Sequence, residues 1–313
     1  MKRGMVVLLI LLLCGCQQQG TWLPFETLSL LEAEHPELDF GLAEHDGQRT
    51  IRDFALNREG NLLLLELSAQ VYEYSAKGEL LATYDFGFAE KGLTAYLMTV
   101  DQSGNFYFVD GHNCLIIRAN KKGILGTAAL GDKAIIKEPG LIRAISALDE
   151  NLLAITAISP SDYLTYTYEV DVSGEEAVCL ASNGGTVLGN GYSYENILLL
   201  NENGGVTDST KVTIYKNGQV ENEFEVRRPH NFVVGLRILG ISAEDTYFAN
   251  LSEYLPGDIF QERLVVLNRQ GEIIAMGKGV LKSDDLIRGY QGNSYVLRFE
   301  TDGLTVFPFQ KLF

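Results

Sequence analysis

The sequence is poor in the side chains that most often carry chemistry. It has four cysteines and four histidines among 313 residues, and none of them stand at a zinc-ligand spacing. It contains no Gly-x-Ser-x-Gly elbow, no phosphate-binding glycine loop and no dinucleotide fingerprint, and "SNGG" and "NENGG" read as turns. No catalytic set, metal site or cofactor is expected. Helical periodicity is almost absent. Positive charge is scarce too: 25 Lys and Arg face 41 Asp and Glu, for a formal charge of −16. Such a surface repels nucleic acid and anionic lipid at long range. Nucleic acid is therefore excluded as a partner, and any bound anion needs a local positive site.

What is present begins at the first residues. "MKRGMVVLLILLLCGCQQQG" places Lys2 and Arg3 before ten apolar residues, 5–14, followed by a small residue and a cysteine. Ten residues at about 1.5 Å each cover about half of a bilayer core, which suits the hydrophobic part of a signal peptide and not a membrane span. Leu13-Cys14-Gly15-Cys16 resembles the bacterial lipobox. The resemblance implies cleavage before Cys16, diacylation of that cysteine and an extracytoplasmic protein lipid-anchored to the cell membrane, at the cell surface or in the periplasm. The expected organisation is 1–15 signal peptide, 16–26 lipidated cysteine and tether, and 27–313 one folded domain. Lipid contributes about 0.8 kcal/mol per buried CH₂, so two or three chains hold firmly. Cys114 and Cys179 remain, 65 positions apart. A disulfide and two small buried apolar side chains are both open for them.

The rest of the chain alternates short β-branched, aromatic and leucine-rich runs with Gly, Asn and Asp turns, which predicts an all-β fold. The unit 97–131, "LMTVDQSGNFYFVDGHNCLIIRANKKGILGTAALG", reads as four strands, and the unit before it parses alike. Turns into the second strand fall at Gly60-Asn61, Gly104-Asn105, Glu150-Asn151, Glu195-Asn196, Asp245-Thr246 and Gly292-Asn293, at intervals of 44, 46, 45, 50 and 47. Six such units predict a six-bladed β-propeller of four-stranded blades. "NLLLLEL" is apolar on both faces because each blade lies between two others.

The last unit has residues for only three strands. "LDFGLAE" at 38–44 nearly repeats "YDFGFAE" at 84–90, and the 46 positions between them match the blade period. The repeat predicts that the N-terminal segment supplies the outer strand of blade six and closes the ring, with Pro36 tolerated on that outermost strand. "TVDQSGNFYFVDGHN", 99–113, resembles the NHL-type propeller repeat: inner strand, Asp-x-x-Gly-Asn, aromatic strand, Val-Asp. That resemblance implies the fold and no single reaction.

Connections from second to third strands lengthen at "ISPSDYLTY", "NENGGVTDST" and "LSEYLPGDIFQE", in blades three to five, which predicts one elaborated face. "TIRDF", "LIRAI", "GLRIL" and "LIRGY" place Arg52, Arg143, Arg237 and Arg288 near the starts of inner strands, with Tyr96 and Asn190 as counterparts in the other two blades. The arginines suit either an anion pocket at the channel mouth or structural pairing with acids such as Asp53. His112 and His230 fall on the same face without a supporting acid–cysteine array. Gluconolactonase-like propellers hold a channel metal with Glu, Asn and Asp, and no Glu stands at a matching strand start here. Amidating-lyase-like propellers need several channel histidines, which this chain lacks. The expected function is a binding or scaffold module for a protein or a small anionic or saccharide ligand. The alternative is a propeller lyase or lactonase-type hydrolase acting in the channel.

Overall fold

The computed structural model describes residues 26–42, 47, 49–131, 136, 139–159, 165–189, 192–216, 219–242, 246–282, 284–290 and 293–313. The signal sequence, Cys16 and Asn190 lie outside them. The described strands form six four-stranded antiparallel sheets, the blades of a six-bladed propeller. Blade one is β2 (Ile51–Leu56), β3 (Leu62–Glu66), β4 (Val71–Tyr74) and β5 (Leu80–Tyr84); blade two is β6 (Leu97–Val100), β7 (Phe106–Asp110), β8 (Leu115–Asn120) and β9 (Gly123–Ala129). Blade three is β10 (Ile142–Asp149), β11 (Leu152–Ile158), β12 (Thr165–Asp171) and β13 (Val178–Gly184); blade four is β14 (Thr186–Gly189), β15 (Tyr192–Leu200), β16 (Val206–Lys216) and β17 (Gln219–Arg227). Blade five is β18 (Phe232–Ile241), β19 (Tyr247–Leu255), β20 (Ile259–Leu267) and β21 (Ile273–Met276). Blade six joins β22 (Leu286–Tyr290), β23 (Asn293–Glu300) and β24 (Gly303–Pro308) to β1 (Leu28–Leu31).

The two-period of a strand sends alternate side chains to the two neighbouring blades. In β3, Leu62 and Leu64 pack toward blade six while Leu63 and Leu65 pack toward blade two. In β7, Phe106 and Phe108 face blade one, and Tyr107 and Val109 face blade three. Buried apolar clusters fill the seams six–one, one–two, two–three, four–five and five–six. Among the described residues, no such cluster fills the seam between blades three and four.

Turn chemistry sets the repeat. Asp101 accepts hydrogen bonds from the Ser103 N–H (2.8 Å), the Asn105 N–H (2.9 Å) and the Tyr107 hydroxyl (3.0 Å), while Gly104 takes a left-handed φ of 82°. Asn57, Asn201 and Asn268 accept the same pair of backbone bonds in their own turns. These side chains mimic a backbone turn, which is why the Asp-x-x-Gly-Asn pattern is legible. Asp110, the Asp of Val-Asp, is fully buried and accepts from Thr94, His112 and Asn113, tying two loops together.

The N-terminus closes the ring, as expected, but with a different segment. The closing strand is β1, eight residues before "DFG", and it pairs Leu28 with Val306 and Leu31 with Gly303. The described part of "LDFGLAE", 38–42, instead begins the loop leading from the outer strand of one blade to the inner strand of the next, as "YDFGFAE" does. Asp39 accepts from the Gly41 N–H (2.8 Å) and Asp85 from the Gly87 N–H (2.8 Å), the same turn twice. Leu38 and Phe40 bury their side chains between blades six and one, as Phe86 and Phe88 do between one and two. Pro36 sits in a turn and not on a strand. Gly303 is required at the closure, because a Cβ there would lie 2.0 Å from the Leu30 carbonyl oxygen.

Two further expectations are corrected. Gly189 pairs with Tyr192, and Glu195 and Asn196, expected at the turn into the second strand of blade four, lie inside β15. Asn190, offered as a counterpart of the arginines, lies outside the described residues. The lengthened segments at 201 and 251 are largely strand: Leu200 pairs with Val206 and Leu255 with Ile259 across short turns, giving tall hairpins where loops were expected.

Leu30 is fully buried in the closing strand. Leu30→Ala should lower the unfolding free energy by about 2–5 kcal/mol. Chemical denaturation would measure this, with Ser29→Ala, on the exposed face of the same strand, changing it by under about 0.5 kcal/mol.

Candidate ligand site in the central channel

A cavity of 1110 Å³ occupies the channel and continues between blades three and four. Arg143, Arg237 and Arg288 line it, and Arg52 does not. The three do not form one ring. They stand six, four and two residues before the pairs that close their inner hairpins, Asp149–Leu152, Ile241–Tyr247 and Tyr290–Asn293. With a rise of about 3.3 Å per residue they descend the channel like steps.

The deepest is neutralised. Arg288 Nε donates to Asp53 Oδ1 at 2.6 Å, and its Nη1 donates to the Ile287 carbonyl at 2.8 Å. Asp53 is 0% exposed and also accepts the N–H groups of Phe54 (2.8 Å) and Met98 (2.8 Å). Burial raises the pKa of this carboxyl, against the pull of the Arg288 guanidinium and the two N–H groups. One carboxylate thus ties blades six, one and two at the hub. For Arg288, the structure shows the pairing with Asp53 that the sequence offered as one of two readings.

Arg143 and Arg237 are different: neither makes an ion pair or a side-chain hydrogen bond with a described residue. Water reaches Arg237 through the channel, yet protein surrounds it. Desolvation lowers its pKa, Tyr194 opposes this, and repulsion from Arg288 lowers it further. Arg143 is exposed near the mouth. It lies close enough to Tyr96 to offset part of the rise that burial imposes on that hydroxyl. Tyr96 itself is half-buried, outside the cavity lining, with its ring against Gly111. His112 and His230 are exposed in loops and do not line the cavity either.

Glu195 is the one carboxylate among the described lining residues, and it accepts a hydrogen bond from the Tyr215 hydroxyl at 3.1 Å. Placing the blade-four turn at Glu195-Asn196 hid it. Among the described residues no group of three His, Cys, Asp or Glu is arranged to hold a metal ion. Cys114 and Cys179 are free and half-buried.

The tall β19–β20 hairpin above the mouth is anchored by Glu253, whose side chain is 0% exposed. It accepts from Arg228 Nε (2.8 Å), Asn231 Nδ2 (2.7 Å) and Gln261 Nε2 (2.8 Å). Burial pushes this carboxyl up, but the hydrogen bonds and the Arg228 charge outweigh burial and hold it below the ordinary value of 4.5.

No family model matches the chain, and no curated protein matches it in sequence. Its shape is similar to the β-propeller domain of Cps50 (Swd1) from Myceliophteria thermophila, at 14% identity and TM-score 0.43 over 85% of this chain and 84% of that one. It is also similar to virginiamycin B lyase from Staphylococcus aureus, at 10% identity and TM-score 0.40 over 90% and 97%. A third is YCF48 bound to D1 peptide, at 10% identity and TM-score 0.42 over 87% and 78%. Likeness this weak carries no argument, and the fold rests on the six sheets themselves.

Arg288→Gln leaves Asp53 buried without its countercharge and should cost about 3–5 kcal/mol of stability in urea melts. Arg143→Gln should change it by under about 0.5 kcal/mol. Because the Glu253 pKa is lowered in the folded state, its stabilisation is present above pH 4.5 and lost as pH falls below that value. The gap in urea midpoint between the native protein and Glu253→Gln should therefore be wide at pH 7 and shrink toward pH 3.

Proposed function

We propose that this chain is an extracytoplasmic lipoprotein, held to the membrane by lipid on Cys16, whose propeller binds an anionic group of a small molecule, saccharide or partner protein in its channel mouth. The observation that carries the reading is the pair Arg143 and Arg237. In a chain of net charge −16, two guanidinium groups line one cavity with no carboxylate partner among the described residues, while Arg288 beside them is matched by Asp53. Two water-accessible guanidinium groups on one cavity wall supply the donors and the positive charge that a bound carboxylate or phosphate needs. The turn chemistry of Asp101 and the loop-tying role of Asp110 support reading the repeats as NHL-like.

The direction of β1 supports an orientation. Leu31 lies beside Gly303, at the hairpin end on the mouth side, and Leu28 lies beside Val306, so the chain before β1 leaves toward the opposite face. A tether of residues 16–26 reaches at most about 35–40 Å, so anchoring through Cys16 turns the mouth away from the leaflet.

Titrations with acetate, inorganic phosphate and glucuronate test the site. At least one should bind, and Arg143→Gln with Arg237→Gln should weaken it by about tenfold or more while leaving the melting temperature in place. Unchanged binding in the double variant overturns the reading. For the anchor, Cys16→Ser should abolish incorporation of labelled palmitate and release the protein from the membrane fraction. Persistent labelling would count against it.

A further inference from the structure

The seam between blades three and four is open because one of its walls is built from small side chains. Toward the following blade, β3 presents Leu63 and Leu65, and β7 presents Tyr107 and Val109. The equivalent positions of β11 are Ala154 and Thr156, and both line the cavity. Opposite them β15 is left with apolar bulk that nothing covers: Ile197 is 50% and Leu200 58% exposed, and Leu148 on β10 is 40% exposed, all three on the cavity wall. Blade three also joins blade four unusually tightly. Only Gly185 separates β13 from β14, at a φ of 94°, where a Cβ would lie 1.7 Å from the Tyr194 carbonyl oxygen. The linkage holds the two blades at their margin while the space between them stays unfilled.

The Thr156 hydroxyl of that wall is already engaged. Thr167 donates to the Gly185 carbonyl at 2.6 Å and accepts from Thr156 at 3.1 Å. On the β11 side the cleft thus offers an alanine and an already engaged threonine, and on the β15 side Ile197 and Leu200 offer apolar surface to a hydrocarbon beside the polar Glu195 and Asn196. The same cavity runs on to Arg143 and Arg237.

We infer that the ligand is an amphipathic anion: a single carboxylate or phosphate head set against Arg143 and Arg237, with an unbranched or aryl apolar tail lying between blades three and four against Ile197 and Leu200. The inference rests on the anion reading above and narrows it. Burial of each tail methylene against this wall multiplies affinity by about fourfold, until the tail outgrows the cleft.

The test titrates the full chain, held in amphipol and corrected against protein-free amphipol, with acetate, butanoate, hexanoate, octanoate and octylammonium. Affinity should climb by about fourfold per methylene along the carboxylates. The climb should flatten in Ile197→Ser, which strips the apolar wall, and in Ala154→Leu, which fills the cleft. The variant carrying Arg143→Gln and Arg237→Gln should lose the carboxylates of every length. Carboxylates that bind equally well at all lengths would overturn the amphipathic ligand and leave the anion reading standing. Octylammonium binding as tightly as octanoate, with no effect of the arginine substitutions, would overturn the anion reading and this inference with it. Absence of binding by every probe removes both.

Discussion

A ring of sheets has two ends, and the structure depends on the interaction that joins them. Here the join is made twice. At the rim β1 completes blade six by pairing with β24, and Lys311 near the C-terminus donates to Thr27 just before β1. At the hub Arg288 of the last blade meets Asp53 of the first, and Asp53 also receives the Met98 N–H of the second. Each blade is stabilised chiefly by its neighbours, so an open seam at the join would leave two sheet faces wet. The arginines line a channel only because the ring is closed.

Closure also explains why similar residues in repeated positions have different roles. Arg52, Arg143, Arg237 and Arg288 look equivalent along the chain. The join matches Arg288 with a buried acid, and the strand registers place Arg143 and Arg237 at other depths, without a carboxylate partner among the described residues. A buried ion pair gains little net stability over an apolar one and costs much when broken, so Asp53 and Arg288 are best understood as fixing the angle and order of the closing blades. What is left over is two cations, Arg143 and Arg237, without a carboxylate match among the described residues.

The blades are not equally well filled, and the difference comes from side-chain size at the second strand. Leu63 with Leu65 and Tyr107 with Val109 occupy their seams, whereas Ala154 and Thr156 do not. A cavity beside well-packed seams persists because the surrounding sheets, held by their ladders and by the closed ring, cannot collapse into it. Site and scaffold are thus built by the same alternation of side chains, with large residues in five seams and small ones in the sixth.

Much of this was written in local chemistry. Six units, four strands each and closure by the N-terminus follow from turns whose Asp or Asn side chains cap their own backbone, and from runs such as "NLLLLEL" that must be covered on both sides. The repeated "DFG" reported a real shared element, yet it reported the turn that Asp39 and Asp85 make and not the strand beside it. Neighbouring residues determine a turn, whereas strand pairing is settled by whatever edge lies alongside. For the same reason the expected turn at Glu195-Asn196 falls inside a strand: the inner strand of blade four is only four residues long, and the pairing of β15 with β16 extends past both residues. Tertiary structure alone decided which arginine meets Asp53 and which seam stays open, because both depend on contacts between residues far apart in sequence, and no local preference encodes those distances.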